Sequence, residues 1–410
     1  MPEKTISMPG RNTQRTHQTD GEMILKRAYA AATAVVSILA LACGGGPGRQ
    51  PAEAEDGADT LVVSPADSIG VLMGDSNYVF GTIGEVEVTP EGEIAVLDES
   101  GACVTVYSRG GEFLRRFGRR GSGPGELLHP GGLVVLSDGS FAVMDAQTGG
   151  VHRFLADGSY DTLMVDFAGD GAPQWGWGVD GNAFVATYLD DEMSGDGIEM
   201  VSMVARWTDS AEPDVVYWEH RFPFRPDDMA SLLREGLFSS AFAAGRDGRV
   251  YVAPISTSEY RVNVYSPAGD SIGVITRDLP RVEKTPEEME QERQLITDIL
   301  RERGVREEVN RYEPEPYRWL VQPQAMGVDG RGRVWVGSGT AEGAVFDVYS
   351  PDGSHQAAVR VEGVGAGSGV DFPAFRVRSD LILAWPLQAT DYPKLYVIPI
   401  PEDLGAGPEA

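Results

Sequence analysis

The chain has 410 residues, 62 of them acidic and 34 basic, for a formal net charge of −28. A surface so charged repels nucleic acid and anionic lipid headgroups, which sets both aside as partners. Two cysteines, Cys43 and Cys103, provide no disulfide framework for a fold.

The first element is a leader. Lys26 and Arg27 precede an apolar run, Ala28 to Ala42, that stops at Cys43 before three glycines. A run so short is a signal-peptide core rather than a membrane span, and Met23 offers a start of more usual leader length. Leu39 to Cys43, LALAC, resembles the lipobox of bacterial lipoproteins, with Ala42 meeting the small-residue requirement. The resemblance implies that residues 1–42 are removed and that Cys43 carries the lipid, the chain's sole attachment to a membrane. An ordinary cleaved secretory signal is the alternative. Gly44 and Gly45 lack the aspartate that in some bacteria retains lipoproteins at the inner membrane. The implied location is therefore the bacterial cell envelope, at the outer membrane facing the periplasm or the cell surface. Residues 43–59 show no apolar period and read as a flexible tether.

From Val86 a repeat begins. VEVTPEGEIAVLDESGACVTVYSRGG lies over LVVLSDGSFAVMDAQTGGVHRFLADG without a gap, so that Gly92 meets Gly139, Asp98 meets Asp145 and Tyr107 meets Phe154. Each unit predicts a strand, a glycine turn, a strand ending in Asp, a longer turn, a strand ending in an aromatic residue, a second glycine turn and a fourth strand. The same order returns around Gly248 and Tyr265, around Gly332 and Tyr349, and more weakly at WGVDGNAFVATYL and FRVRSDLILAWP. Six four-stranded units predict an all-β, six-bladed β-propeller over residues 60–401, with a short tail at 402–410 read as disordered. Closing the ring requires an early strand, TLVV or SIGVL, beside LYVIPI.

FGRRGSGPGELLHPGG, Phe117 to Gly132, has glycines and arginines suited to an anion, yet it leads into an apolar strand rather than a helix. Glu126 also falls where the third glycine of a GxGxxG motif belongs. Together with the following GLVVLSDGSFAVMD, the stretch resembles the repeat of NHL and related six-bladed propellers of the TolB-like superfamily, some of them bacterial surface lipoproteins. That resemblance makes it a connection between blades. The helical signal lies in an insertion at about 281–322, between blades four and five. There Thr285 caps, Pro286 takes the first position and Glu288 completes a capping box. A shorter helix is expected around Pro226 to Glu235.

Candidate chemistry is sparse. His129, His152, His220 and His355 have no close ligand spacing, although some propeller lyases hold zinc with converging histidines. Lactonase-like propellers hold calcium, for which Glu85 is a candidate. Asp190, Glu192 and Asp196 form half of a calcium loop, lacking its bidentate twelfth residue, and otherwise read as an acidic hairpin. Asp98 and Asp145 recur at one repeat position, which points to turn capping. Strand parity places every long connection at one end of the ring: the acidic loop, the segment Asp209 to Ser240 and the helical insertion. Glu85, His129, Gln174, Trp175, Gln324 and Phe372 begin inner strands there and define a candidate binding mouth. The reading is a membrane-anchored binding or scaffolding module for an envelope protein or a small extracellular ligand, with no assigned cofactor and calcium as an option. The alternative is a metal-dependent, lactonase-like hydrolase or a lyase acting at the same mouth.

Overall fold

The computed structural model describes residues 60–404, except 168–171, 195–196, 226–227, 229, 238, 303–311, 342, 365–372, 387–391 and 403. The leader, Cys43 and the tether lie outside the described residues.

Two short strands open the chain, β1 (Leu61–Val63) and β2 (Asp67–Ile69). Blade 1 follows as β3 (Ile83–Val88), β4 (Ile94–Asp98), β5 (Cys103–Tyr107) and β6 (Phe113–Phe117). Blade 2 is β7 (Pro130–Val135), β8 (Phe141–Asp145), β9 (Gly150–Phe154) and β10 (Tyr160–Asp166). Blade 3 has β11 (Gln174–Gly178), β12 (Phe184–Ser194), β13 (Gly197–Trp207) and β14 (Val215–Pro223). Blade 4 has β15 (Ser240–Ala244), β16 (Val250–Pro254), β17 (Tyr260–Tyr265) and β18 (Ser271–Arg277). Blade 5 is β19 (Val321–Asp329), β20 (Val334–Ser338), β21 (Ala344–Tyr349) and β22 (His355–Val361). Blade 6 runs through β23 (Pro373–Ser379), β24 (Leu381–Pro386) and β25 (Leu395–Pro399).

β2 completes blade 6 from the other end of the fold by pairing antiparallel with β25, Ser68 opposite Tyr396. β1 adds a parallel fifth strand to the outer edge of blade 5, Val62 opposite Arg360. Both early stretches are thus used, one to close the ring and one to cover an edge. Inner strands β19 and β23 touch at Val328–Arg378 and Asp329–Ser379, which joins blades 5 and 6 into one nine-stranded sheet.

The blades read as nearly continuous apolar strands because both faces are covered by neighbours. Leu97 and Val106 of blade 1 pack with Leu133 and Phe141 of blade 2, and Met144 and Val151 of blade 2 with Phe184 and Trp207 of blade 3. Ile83 and Val86 of blade 1 meet Leu383 and Val397 of blade 6, so the packing is circular. Gly92 and Gly139 hold φ of 83° and 80° in equivalent inner turns, a backbone state that favours glycine.

The helix α1 (Pro286–Glu302) forms inside the expected insertion, and its capping box is present. The Thr285 amide donates to Glu288 Oε2 at 2.7 Å, and the Glu288 amide donates to Thr285 Oγ1 at 3.2 Å. Lys284 and Glu292, both buried, pair at 2.5 Å and dock the helix over Trp319. The segment Asp209 to Ser240 differs from the expectation of one long connection. VVYWEHRFP forms the outer strand of blade 3, which leaves a short turn before it and a π-helical turn, Leu232–Leu237, after it. The domain also continues past residue 401: Arg331 and Arg333 donate to the carbonyls of Glu402 and Leu404 at 2.6 Å.

Candidate functional site

Each inner strand starts at the end of the ring that carries the long connections and finishes at a short turn. Glu85 is the third residue of β3, His129 precedes β7, Gln174 and Trp175 open β11, and Gln324 lies within β19. The structure therefore brings these residues to one end of the propeller. Phe372 lies outside the described residues.

The inner strands are irregular at this end. In blade 1, Gly84 is an extra residue between the pairs Ile83–Asp98 and Glu85–Leu97, and in blade 2 Gly131 takes the same place. In blade 3 that position is Trp175, held at a φ of 50°. A large side chain in the left-handed region costs on the order of 1–3 kcal/mol, and such bulges re-aim side chains. Beside it, Gln174 Oε1 is buried without a hydrogen-bond partner. In blade 5, Gln322 to Ala325 bulge opposite Gly337 alone. A Cβ at Gly337 would lie 2.5 Å from that of Ala325, so only glycine permits this fold-over.

Below the mouth, arginines cross the channel. Arg376 pairs with Glu85 at 2.8 Å and donates to the carbonyls of Val86 at 3.2 Å and Gly176 at 3.1 Å. Its guanidinium lies 3.9 Å from the ring centre of Trp177. Two residues further down the strand, Arg378 donates to Ala244 O at 2.9 Å and Gly178 O at 2.6 Å, with Glu87 3.8 Å away. At the short-turn end Arg246 reaches the Val88 carbonyl at 3.0 Å. The mouth thus has a charged floor.

Burial lifts the Glu85 carboxyl to about 7, against the opposing pull of Arg376. The folded chain therefore holds a proton that the unfolded chain releases near pH 4.5. Glu85 favours folding most below that pH, and the contribution is lost as pH rises through about 7, a swing of roughly 3 kcal/mol. Glu85→Gln should remove that slope, as read from urea midpoints at pH 5 and 8. A variant with the parent's slope would refute the assignment.

Other candidate residues have local duties. The Asp98 carboxylate accepts the amides of Gly81, Thr82 and Gly101 at 2.9–3.1 Å, and Asp145 accepts those of Leu128, His129, Gln147 and Thr148. Both are turn caps, as their recurrence suggested. In the glycine stretch, Glu126 accepts the Gly123 amide at 2.9 Å and pairs with Arg119 at 2.8 Å, so the chain's own carboxylate sits where a phosphate would. Asp190 and Glu192 lie on strand β12 of a long hairpin rather than on a loop, and Asp196 lies outside the described residues. Arg221 holds Glu192 at 2.9 Å and also reaches Glu199 and Glu219, so these carboxylates already share a cation. His129 meets Gln147 at 2.5 Å, His152 meets Thr148 at 3.1 Å, and His355 meets Asp347 at 3.2 Å. His220 stacks between Trp218 and Phe222. Among the described residues, no group of three or more His, Cys, Asp or Glu side chains is placed to hold a metal ion.

The fold is that of a six-bladed β-propeller, with the candidate site at one end of its ring. Residues 72–167 match the DUF5128 family, a 6-bladed beta-propeller. Among solved structures the chain is similar to a gluconolactonase from Xanthomonas campestris, with 15% identity, coverage of 84% of this chain and 98% of that one, and a TM-score of 0.40. It is also similar to a catalytically inactive virginiamycin B lyase from Staphylococcus aureus with quinupristin, at 11%, 82%, 89% and 0.40. A calcium-binding regucalcin from Agrobacterium tumefaciens gives 11%, 84%, 98% and 0.40. No curated protein matches the chain.

Proposed function

We propose that the protein is an extracytoplasmic binding module of the NHL-like, TolB-like kind, anchored in the bacterial envelope through a lipid on Cys43. It takes an envelope protein or a small extracellular ligand at the long-connection mouth. The observation that carries this reading is the Gln174–Trp175 bulge: a strained aromatic residue beside a buried carbonyl oxygen without a partner. Trp175 packs in part against the core of blades 3 to 5, and its remaining open face, together with the unpartnered oxygen, suits a ligand with an apolar face and a donor.

Partners recovered by mild crosslinking at the envelope supply the test. Trp175→Ala combined with Gln174→Ala should weaken binding by at least about thirtyfold, the ~2 kcal/mol of an interface hot spot. Ser137→Ala and Asp352→Ala, at the short-turn end, should leave it unchanged; the reverse pattern would sink the reading. Metabolic labelling with a fatty acid should mark the parent chain and not Cys43→Ser, and label persisting in the variant would exclude this anchor. The hydrolase or lyase reading has one observation in its favour, the Glu85 carboxyl lifted to about 7, the range of an acid–base group. Stoichiometric calcium or zinc in the purified chain would move the conclusion to that reading.

A further inference from the structure

The first residues of the domain form a belt on its rim. β1 lies on the outer edge of blade 5, β2 on the outer edge of blade 6, and residues 71–78 continue onto blade 1. There the Tyr78 hydroxyl accepts the Phe113 amide at 3.0 Å, Arg116 donates to the Ser76 carbonyl at 3.0 Å, and the Tyr107 hydroxyl donates to the Asn77 carbonyl. The loop is closed on itself, the Val71 amide donating to Tyr78 O and the Tyr78 amide to Asp75 O, both at 2.9 Å. Yet this ordered loop holds apolar side chains outward: Leu72 is 58% and Met73 83% exposed, with Val71 and Val79 beside them and Val62 further along the belt. A loop pinned at its base and apolar at its tip is built to be covered.

We propose that this rim belt seats on the lipid surface in which the Cys43 anchor is embedded, with Leu72 and Met73 entering the headgroup boundary. The inference rests on the anchored reading above. Two features of the chain favour lipid over another occupant, and a third sets the kind of lipid. The described chain starts at Thr60, on the same belt, and sixteen residues separate it from Cys43, a reach of about 55 Å at most. An anchor there joins the domain at this rim rather than at the mouth. The apolar loop tip also offers the kind of side chain that enters the headgroup boundary beside such an anchor. Finally, the excess of acidic residues disfavours an electrostatic mode, so the belt is expected to seat on zwitterionic rather than anionic lipid. The rim position leaves the mouth, on the end of the ring, open to a partner.

The test uses the full chain in phosphatidylcholine vesicles, with a nitroxide on Met73→Cys or, for comparison, on Ser137→Cys. The label at 73 should be reached by oxygen and shielded from an aqueous nickel chelate, and the label at 137 should behave oppositely. Equal access to the chelate at both sites, in chain whose mass shows an acyl group on Cys43, overturns the proposal while sparing the anchor. If the mass shows no acyl group, the anchored reading fails, and vesicle flotation of the unacylated chain decides the belt separately. Leu72→Ser with Met73→Ser should then lower partitioning about tenfold, and unchanged partitioning overturns it. The same double variant should keep the parent's mass in sedimentation; a parent dimer that dissociates in the variant assigns the belt to a second copy instead.

Discussion

Replacing Arg378 with methionine is expected to destabilise the propeller by about 3–5 kcal/mol, the cost of removing one member of a buried charged network. The guanidinium is buried, and that burial brings its pKa down to about 10, so it remains charged at neutral pH. It starts on blade 6 and binds carbonyls of blade 3 and blade 4 while neutralising Glu87 of blade 1. Methionine matches its bulk but leaves two carbonyls without donors and Glu87 fully buried beside Arg376 alone. Glu87→Gln in the Arg378→Met background should recover part of the loss, because it removes the uncompensated charge. Denaturant midpoints of the two variants measure this. If Arg378→Met unfolds like the parent, the crossing contacts do not hold the blades together.

That hub shows where the sequence is legible and where it is not. The strong repeats announce themselves because glycine stands at each left-handed turn and aspartate at each capping position, as Gly92, Gly139, Asp98 and Asp145 do. Blades 3 and 6 read weakly for a physical reason. Their inner turns use Asn182 and Ser379 at φ of 60° and 54°, so the glycine signal is displaced or missing. Outer strands such as VVYWEHRFP alternate exposed and covered residues without a turn motif, which is why β14 passed for part of a connection. The mouth followed from parity alone, since antiparallel order dictates which connections share an end. The arginine floor did not, although it left a trace. EVEV in β3 and RVRS in β23 carry opposite charges at every second residue of inner strands, where apolar residues are the rule. The two strands answer each other side by side at the channel. Pairing them, however, requires knowing that β3 and β23 are neighbours in a closed ring, which is a property of the whole fold. The bulge at Trp175 was hidden likewise, because a bulge is visible only against the register of its partner strand.

Removing residues 60–69 is expected to have the second large effect, and its size follows from how the ring is closed. Among the described residues β2 is the strand of blade 6 supplied from the start of the domain, and without it β25 presents a free edge along Leu395 to Val397. Ile69 is also buried against the blade 6–blade 1 core, and Val63 against the blade 5–blade 6 core. Each such side chain contributes about 1.5–3 kcal/mol on burial, so the truncation should cost roughly 5 kcal/mol once the lost closure is added. It should also promote aggregation, since an open strand edge recruits other chains. A shorter deletion, residues 60–65, separates the two strands. It removes β1 alone, and blade 5 retains its four strands through the pairing of β22 with β21. The shorter deletion should therefore lower the denaturant midpoint by less than half as much and leave the chain monomeric. Equal losses from the two deletions would mean that β1, not β2, closes the ring, and parent-like behaviour of the longer one would mean that blade 6 is stable with three strands.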